Sequence, residues 1–144
     1  MRKLYTAFKG SHNTSFQLVN QINGDRLFLT NSFQGLEKDI LSLSTDYDAI
    51  YMFGIDKKLK NSIRLETCAN YDGELVNTAL DIVTLEKAIT GLDISYTISN
   101  KPTAYLCNAA YYHMLQKNRS TIFIHIPSVK GMNDVLINKL LKIV

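Results

Sequence analysis

Cys107, in Tyr105-Leu106-Cys107-Asn108, stands in the first turn of a stretch with helical spacing. Free backbone N–H groups and the positive end of the helix dipole gather there, and both favour negative charge. That setting lowers a thiol pKa and enriches the thiolate, which is the nucleophilic form. The same N–H groups can hold the oxyanion of a tetrahedral acyl-transfer intermediate. Cysteine is also among the most buried residue types, and Cys107 shares an apolar stripe with Ala110, Tyr111 and Met114. A packing role therefore stands beside the nucleophilic one.

His125 lies near the end of Ile122-Phe123-Ile124-His125-Ile126-Pro127, an apolar run of strand type. A histidine at the rim of a sheet can take a proton from a thiol and return it to a leaving amine. The competing role is a hydrogen-bonded core histidine. Eighteen positions separate Cys107 from His125, enough for one helix and one strand. A right-handed βαβ crossover brings both groups to the same sheet edge.

A third group would orient the imidazole and stabilise its charged form. Glu66 is a candidate on the polar face of a strand, with Asp46, Asp48, Asp56 and Asp72 as competitors. Cys68 shares a face with Glu66 but has no helix start beneath it, and reads as structural. His12 falls in the turn-like stretch Lys9-Gly10-Ser11-His12-Asn13 and is expected at the surface. His113 follows Cys107 by six residues, about 240° around a helix, so it points elsewhere. Three dispersed histidines form no zinc pattern, and no metal is expected. Lys57, Lys58 and Lys60 lack the glycines of a phosphate-cradling loop and read as a solvated turn. Tyr105, Tyr111 and Tyr112 read as packing residues.

These groups need a scaffold. Lys3 to Phe8 and Arg26 to Thr30 read as strands, with a helix from Asn13 to Asn23 between them, capped by Asn13 or Thr14. Leu36, Ile40 and Leu43 mark a second helix. The continuous apolar run from Ala49 to Gly54 has the look of a strand buried on both faces. From Ser62 to Ala69 the chain alternates, with Ile63, Leu65, Thr67 and Ala69 opposite Arg64, Glu66 and Cys68. Ile82, Leu85, Ile89 and Leu92 line a helix expected to stop with Gly91 at C′. A strand from Leu92 to Ser99 follows, then the Cys107 helix with Pro102 near its start. Ser120 to Ile126 is a strand, and Met132, Leu136, Leu140 and Ile143 line a last helix. Strands alternating with helices predict an α/β fold: a three-layer α/β/α domain with a mostly parallel, mixed sheet. Sites in such sheets gather beyond the carboxyl ends of the strands.

The chain has 144 residues, the size of one domain spanning 1–144, and 46% of them are apolar, which excludes a disordered chain. A net charge of +3, scattered along the sequence, gives no nucleic-acid footprint. Two cysteines cannot make a disulfide scaffold and indicate a reducing compartment. The N-terminus lacks the apolar stretch of a signal peptide, and no run of 18 apolar residues suggests a membrane span. A soluble, cytoplasmic protein is expected.

Ile98-Ser99-Asn100-Lys101-Pro102-Thr103-Ala104-Tyr105-Leu106-Cys107-Asn108, followed by Phe123-Ile124-His125-Ile126-Pro127, resembles pyroglutamyl peptidase I, the pyrrolidone-carboxylate peptidase family. That family leads a Ser-Asn segment into a nucleophilic cysteine in Y/F-V/L-C-N and carries its histidine in F-I-H-I/V-P. Its third catalytic residue is a glutamate in an E-R-V-A-type strand, which Ile63-Arg64-Leu65-Glu66-Thr67-Cys68-Ala69 resembles. Tyr5-Thr6-Ala7-Phe8 is similar to its T-G-F opening, and Asn13-Thr14-Ser15 to its N-P-S. The resemblance implies a cysteine peptidase acting on small peptides with a blocked N-terminus. Cys107 would be nucleophile, His125 base and then acid, and Glu66 the orienting group. Phe8, Tyr105 and Leu106 would line a small apolar lactam pocket. Neither metal nor organic cofactor is implied, and family members commonly form homo-oligomers.

Departures cluster around that pocket. The family's Gly-Gln-Ala-Gly-Gly-Arg is replaced by Gly54-Ile55-Asp56-Lys57-Lys58-Leu59, so an amide gives way to isoleucine and the glycine turn is lost. Lys9-Gly10-Ser11-His12 has no counterpart to the second aromatic of the family's opening, and Pro102-Thr103-Ala104 replaces Ala-Gly-Thr. The chain is shorter than typical members, most of all between Glu66 and Cys107. The changes at 9–12 and 55–60 keep two alternatives open: a cysteine amidase for another small N-acyl or lactam substrate, and a non-catalytic binding or assembly module.

Overall fold

The computed structural model describes residues 1–44 and 46–144. In chain order the elements are β1 (Lys3–Phe8), α1 (Thr14–Asn20), β2 (Asp25–Leu29), α2 (Phe33–Leu41) and β3 (Ala49–Ile55). β4 (Ile63–Glu66), β5 (Cys68–Tyr71) and β6 (Glu74–Asn77) come next, then α3 (Ile82–Gly91) and β7 (Tyr96–Ser99). The chain closes with α4 (Tyr105–Lys117), β8 (Thr121–Ile126) and α5 (Asp134–Ile143). Six strands form one sheet in the order β2-β1-β3-β8-β4-β7. β2, β1, β3 and β8 run parallel, whereas β4 is antiparallel to β8 and parallel to β7. The expected mixed α/β sheet is thus observed, and its single reversal falls beside His125.

Side-chain alternation builds the layers. Leu18 and Val19 of α1, Leu85 and Ile89 of α3, and Leu136 and Leu140 of α5 bury against Ile63, Leu65, Ile122, Ile124 and Ile126. On the opposite face Leu36 and Ile40 of α2 and Ala110, Tyr111 and Met114 of α4 pack on Ile50, Met52 and Phe123. Each fully buried Leu or Ile adds about 1.5–3 kcal/mol of favourable transfer free energy. Three helices cover one face and two the other, which leaves the carboxyl end of β8 beneath the start of α4.

Several local expectations are corrected. α1 ends at Asn20, three residues early, and Leu43 lies beyond α2. Gly91 is the last helical residue of α3 rather than its C′; Asp93, at φ +56°, takes the left-handed position. Alternation after Ser62 holds only to Glu66. There Tyr111 Oη donates to the Glu66 carbonyl at 2.7 Å, and the chain leaves the main sheet. Ala69 consequently packs on the α2/α4 face, opposite Ile63 and Leu65. β5 and β6 form a separate hairpin whose turn, Asp72 (φ +48°) and Gly73 (φ +80°), has two consecutive left-handed residues. An Asp-Gly pair suits that turn because both positions need positive φ. Asn108 of α4 ties the hairpin down, accepting from Asn70 N at 3.1 Å and donating to Asn70 O at 2.8 Å.

Candidate active site

α4 begins without a side-chain cap, since Ala104 occupies the N-cap position. Tyr105 follows at φ +59°, a conformation uncommon for an aromatic residue. Cys107 is the third residue of the helix and half-buried. Its Sγ overlies β3 at Gly54, the residue that pairs with His125 across the β3–β8 ladder. A Cβ at Gly54 would come 3.0 Å from Sγ and 2.6 Å from the Phe123 ring. Glycine there leaves room for the thiol to settle over the sheet.

His125 is 2% exposed and Glu66 1% exposed. Nδ1 of His125 lies 3.4 Å from Oε1 of Glu66. Oε1 also accepts from Nε of Arg64 at 2.7 Å, and Nη2 of Arg64 reaches Oδ2 of Asp56 at 2.8 Å. Burial works against the charged form of Asp56. The Lys58 N–H and the Arg64 guanidinium outweigh it and hold the carboxyl below its ordinary value. Oε2 of Glu66 is buried and has no hydrogen-bond partner among the described residues. Asp56–Arg64–Glu66–His125 therefore forms one chain of polar groups under the cleft.

A cavity of about 430 Å³ opens above it, lined by Phe8, Ile55, Arg64, Tyr105, Leu106, Cys107 and His125 among others. Phe8, Tyr105 and Leu106 thus all line this cavity. Tyr105 stands at the rim, 74% exposed, edge-on to Phe33 with ring centroids 5.3 Å apart. Lys57, expected in a merely solvated turn, is exposed but borders the cleft. Asp46, Asp48 and Asp72 lie elsewhere: Asp46 accepts from Tyr47 N, Asp48 from Arg2 N, and Asp72 sits in the hairpin turn. His12 is exposed and His113 faces Glu37 at 3.8 Å. Among the described residues no cluster of three His, Cys, Asp or Glu is arranged to hold a metal.

The expected low thiol pKa is overturned. Burial, followed by the Glu66 and Asp56 carboxylates, pushes the Cys107 thiol up to about 12. A helix terminus contributes about 0.3–1 kcal/mol, less than one pH unit, and is outweighed. No hydrogen bond joins Sγ to the imidazole among the described residues. The surroundings of Cys107 therefore favour the thiol over the thiolate. Arg64 is the member that sequence reasoning missed. Its position on the Glu66 face was the available signal, and its pairing with Asp56 required the fold.

No family model matches the chain. Solved structures do. Pyrrolidone carboxyl peptidase from Thermus thermophilus superposes with a TM-score of 0.79 at 16% identity, covering 96% of this chain and 95% of that one. Pyroglutamyl peptidase I from Bacillus amyloliquefaciens gives 0.79 at 17%, covering 99% and 94%. This chain has the pyrrolidone carboxyl peptidase fold. A Pyrococcus furiosus pyrrolidone carboxyl peptidase variant gives 0.78 at 18%, covering 99% and 96%. In sequence, 64 residues are 38% identical to pyroglutamyl-peptidase 1 of Rattus norvegicus and of Mus musculus, 42% of this chain. The match spans 31% of those curated relatives. On the pyrrolidone carboxyl peptidase fold, Cys107 and His125 occupy a helix start and a strand end that open into one cleft. No helix among the described residues is long and apolar enough to cross a membrane.

Proposed function

We propose that this chain is a cysteine hydrolase that removes an N-terminal pyroglutamyl group from small peptides. The observation that carries the reading is the meeting of Cys107 and His125 in one cleft, with Glu66 3.4 Å behind the imidazole. Sγ of Cys107 attacks the acyl carbonyl as Nε2 of His125 takes the thiol proton. Backbone N–H groups at the uncapped start of α4 hold the developing oxyanion. Collapse breaks the C–N bond, and the imidazolium returns its proton to the leaving amine. Water, deprotonated by His125, then hydrolyses the thioester, releasing the acid and the thiol. Glu66 keeps the ring oriented and offsets its positive charge. Phe8, Tyr105 and Leu106 supply the apolar wall for the acyl group. Both cysteines are free, which suits work in the reducing cytoplasm.

A second reading is favoured by Ile55, Asp56 and Arg64, an isoleucine and a charged pair that line the cleft. It is an amidase for another small N-acyl or lactam group, using the same three catalytic residues. One experiment separates the two. Fluorophore release from a pyroglutamyl amide is measured beside a panel of other N-acyl amides, with Cys107→Ala as control. Release of pyroglutamate that vanishes in the variant supports the first reading; Cys107-dependent turnover confined to other acyl groups supports the second. No turnover by the folded protein across the panel overturns both.

A further inference from the structure

β4 and β8 are antiparallel, and their register sets Arg64 directly opposite His125. The guanidinium is thereby a cross-strand neighbour of the imidazole. Its donors are distributed in a definite way: Nε to Oε1 of Glu66 at 2.7 Å, and Nη2 to Oδ2 of Asp56 at 2.8 Å. Nη2 also lies 3.4 Å from Nδ1 of His125, the same separation as Nδ1 from Oε1 of Glu66. Arg64 thus holds the near position on Oε1, and His125 the far one.

Nδ1 cannot serve both neighbours at once. Arginine only donates, and ionised glutamate only accepts. A hydrogen on Nδ1 would point to Glu66 while facing the guanidinium N–H at equal distance. A bare Nδ1 instead accepts the second hydrogen of Nη2, which satisfies every short Arg64 contact and leaves Nδ1 and Oε1 of Glu66 as two acceptors held 3.4 Å apart and bridged by one guanidinium.

We propose that Arg64 is a positioning residue that sets the resting tautomer of His125: Nη2 donates to Nδ1, and the ring hydrogen sits on Nε2. The idea rests on the acyl-transfer reading for its consequence, because Nε2–H cannot accept the Cys107 proton. Turnover then requires Arg64 to draw back from the ring, and the ring to exchange its Nε2 hydrogen for one on Nδ1 through cleft water. Arg64 and Asp56 both border the cleft and are only partly buried, so an entering ligand has access to this pair. Arg64 and Glu66 of β4 lie against the His125 ring, and Asp56 and Lys57 after β3 and Cys107 of α4 line the same cleft. Phe123 supplies an aromatic ring 4.9 Å away.

The test is two-dimensional ¹H–¹⁵N NMR of the histidine ring nitrogens at about pH 8, where an imidazole is ordinarily neutral. For the wild-type protein the expected spectrum has Nδ1 bare and Nε2 protonated. In Arg64→Met the hydrogen should move to Nδ1, facing a Glu66 freed of its guanidinium. A wild-type ring with hydrogen on Nδ1 or on both nitrogens overturns the proposal, as does a tautomer unchanged in Arg64→Met. Should that variant not fold, the wild-type spectrum decides alone. The readout needs no substrate. A bare Nδ1 in a protein that turns over no acyl amide would sustain this inference and sink the proposed activity.

Discussion

Cys107 and Cys68 are two free thiols under the influence of one carboxylate, and they differ in what surrounds them. Burial and then Glu66 raise both; Cys107 alone also feels Asp56. Cys68 is 1% exposed and donates to the Asn100 carbonyl at 3.3 Å. Cys107 opens into the cleft, with its sulfur over a glycine and the His125 imidazole lining the same cavity. Thiol pKa therefore does not distinguish the two cysteines here. Access to the cleft and a shared imidazole lining do.

The comparison breaks most sharply in activity. Cys107→Ala should lower kcat by at least about 10³-fold, since removing a nucleophile leaves only binding and oxyanion effects. Cys68→Ala activity within about twofold of wild type completes the contrast, and equal losses in the two variants would erase it. Next comes Gly54→Ala. The added methyl would meet the Phe123 ring and Sγ of Cys107, so kcat should fall about 10²-fold, as displacements near 1 Å do. Unaltered kcat in a folded Gly54→Ala would show that the thiol does not depend on this gap.

Two charge substitutions sharpen the contrast. A carboxylate disfavours the thiolate, so neutralising one moves thiol titration to lower pH. Glu66→Gln should shift the iodoacetamide-labelling profiles of both cysteines to lower pH. Asp56→Asn should shift Cys107 and spare Cys68; peptide mapping of the labelled protein tells them apart. In the wild type, Cys107 labelling should climb through neutral pH without a plateau, because its thiol stands up at about 12. The smallest effect is on stability. Cys68→Ala removes a buried side chain and its hydrogen bond, a loss of about 1–2 kcal/mol in urea unfolding.

Much of the site was legible because local signals carry it. A helix start marks Cys107, a strand end marks His125, and two-residue periodicity places Glu66 opposite Leu65. What escaped depends on contacts between distant segments. Arg64 enters through the antiparallel pairing of β4 with β8, and Asp56 through its reach to Arg64. The β5–β6 hairpin was signalled by Asp72-Gly73, yet the alternating pattern through Ala69 read as one longer strand. The direction of the thiol shift was misjudged for a reason of magnitude. Dipole effects are local and small, whereas burial beside two carboxylates is set by the whole fold.

The strand reversal at β4 also bears on how the molecule assembles. Glu66 and His125 are 59 residues apart in sequence, and their meeting requires β4 to lie against β8. Helix turns form early and locally, but long-range strand pairing awaits the closure of large loops. The imidazole and its carboxylate thus come together only once the sheet is nearly complete. Under the proposed mechanism, regain of activity on refolding would time that last pairing, and a chain still missing β8 has Cys107 without the His125 imidazole.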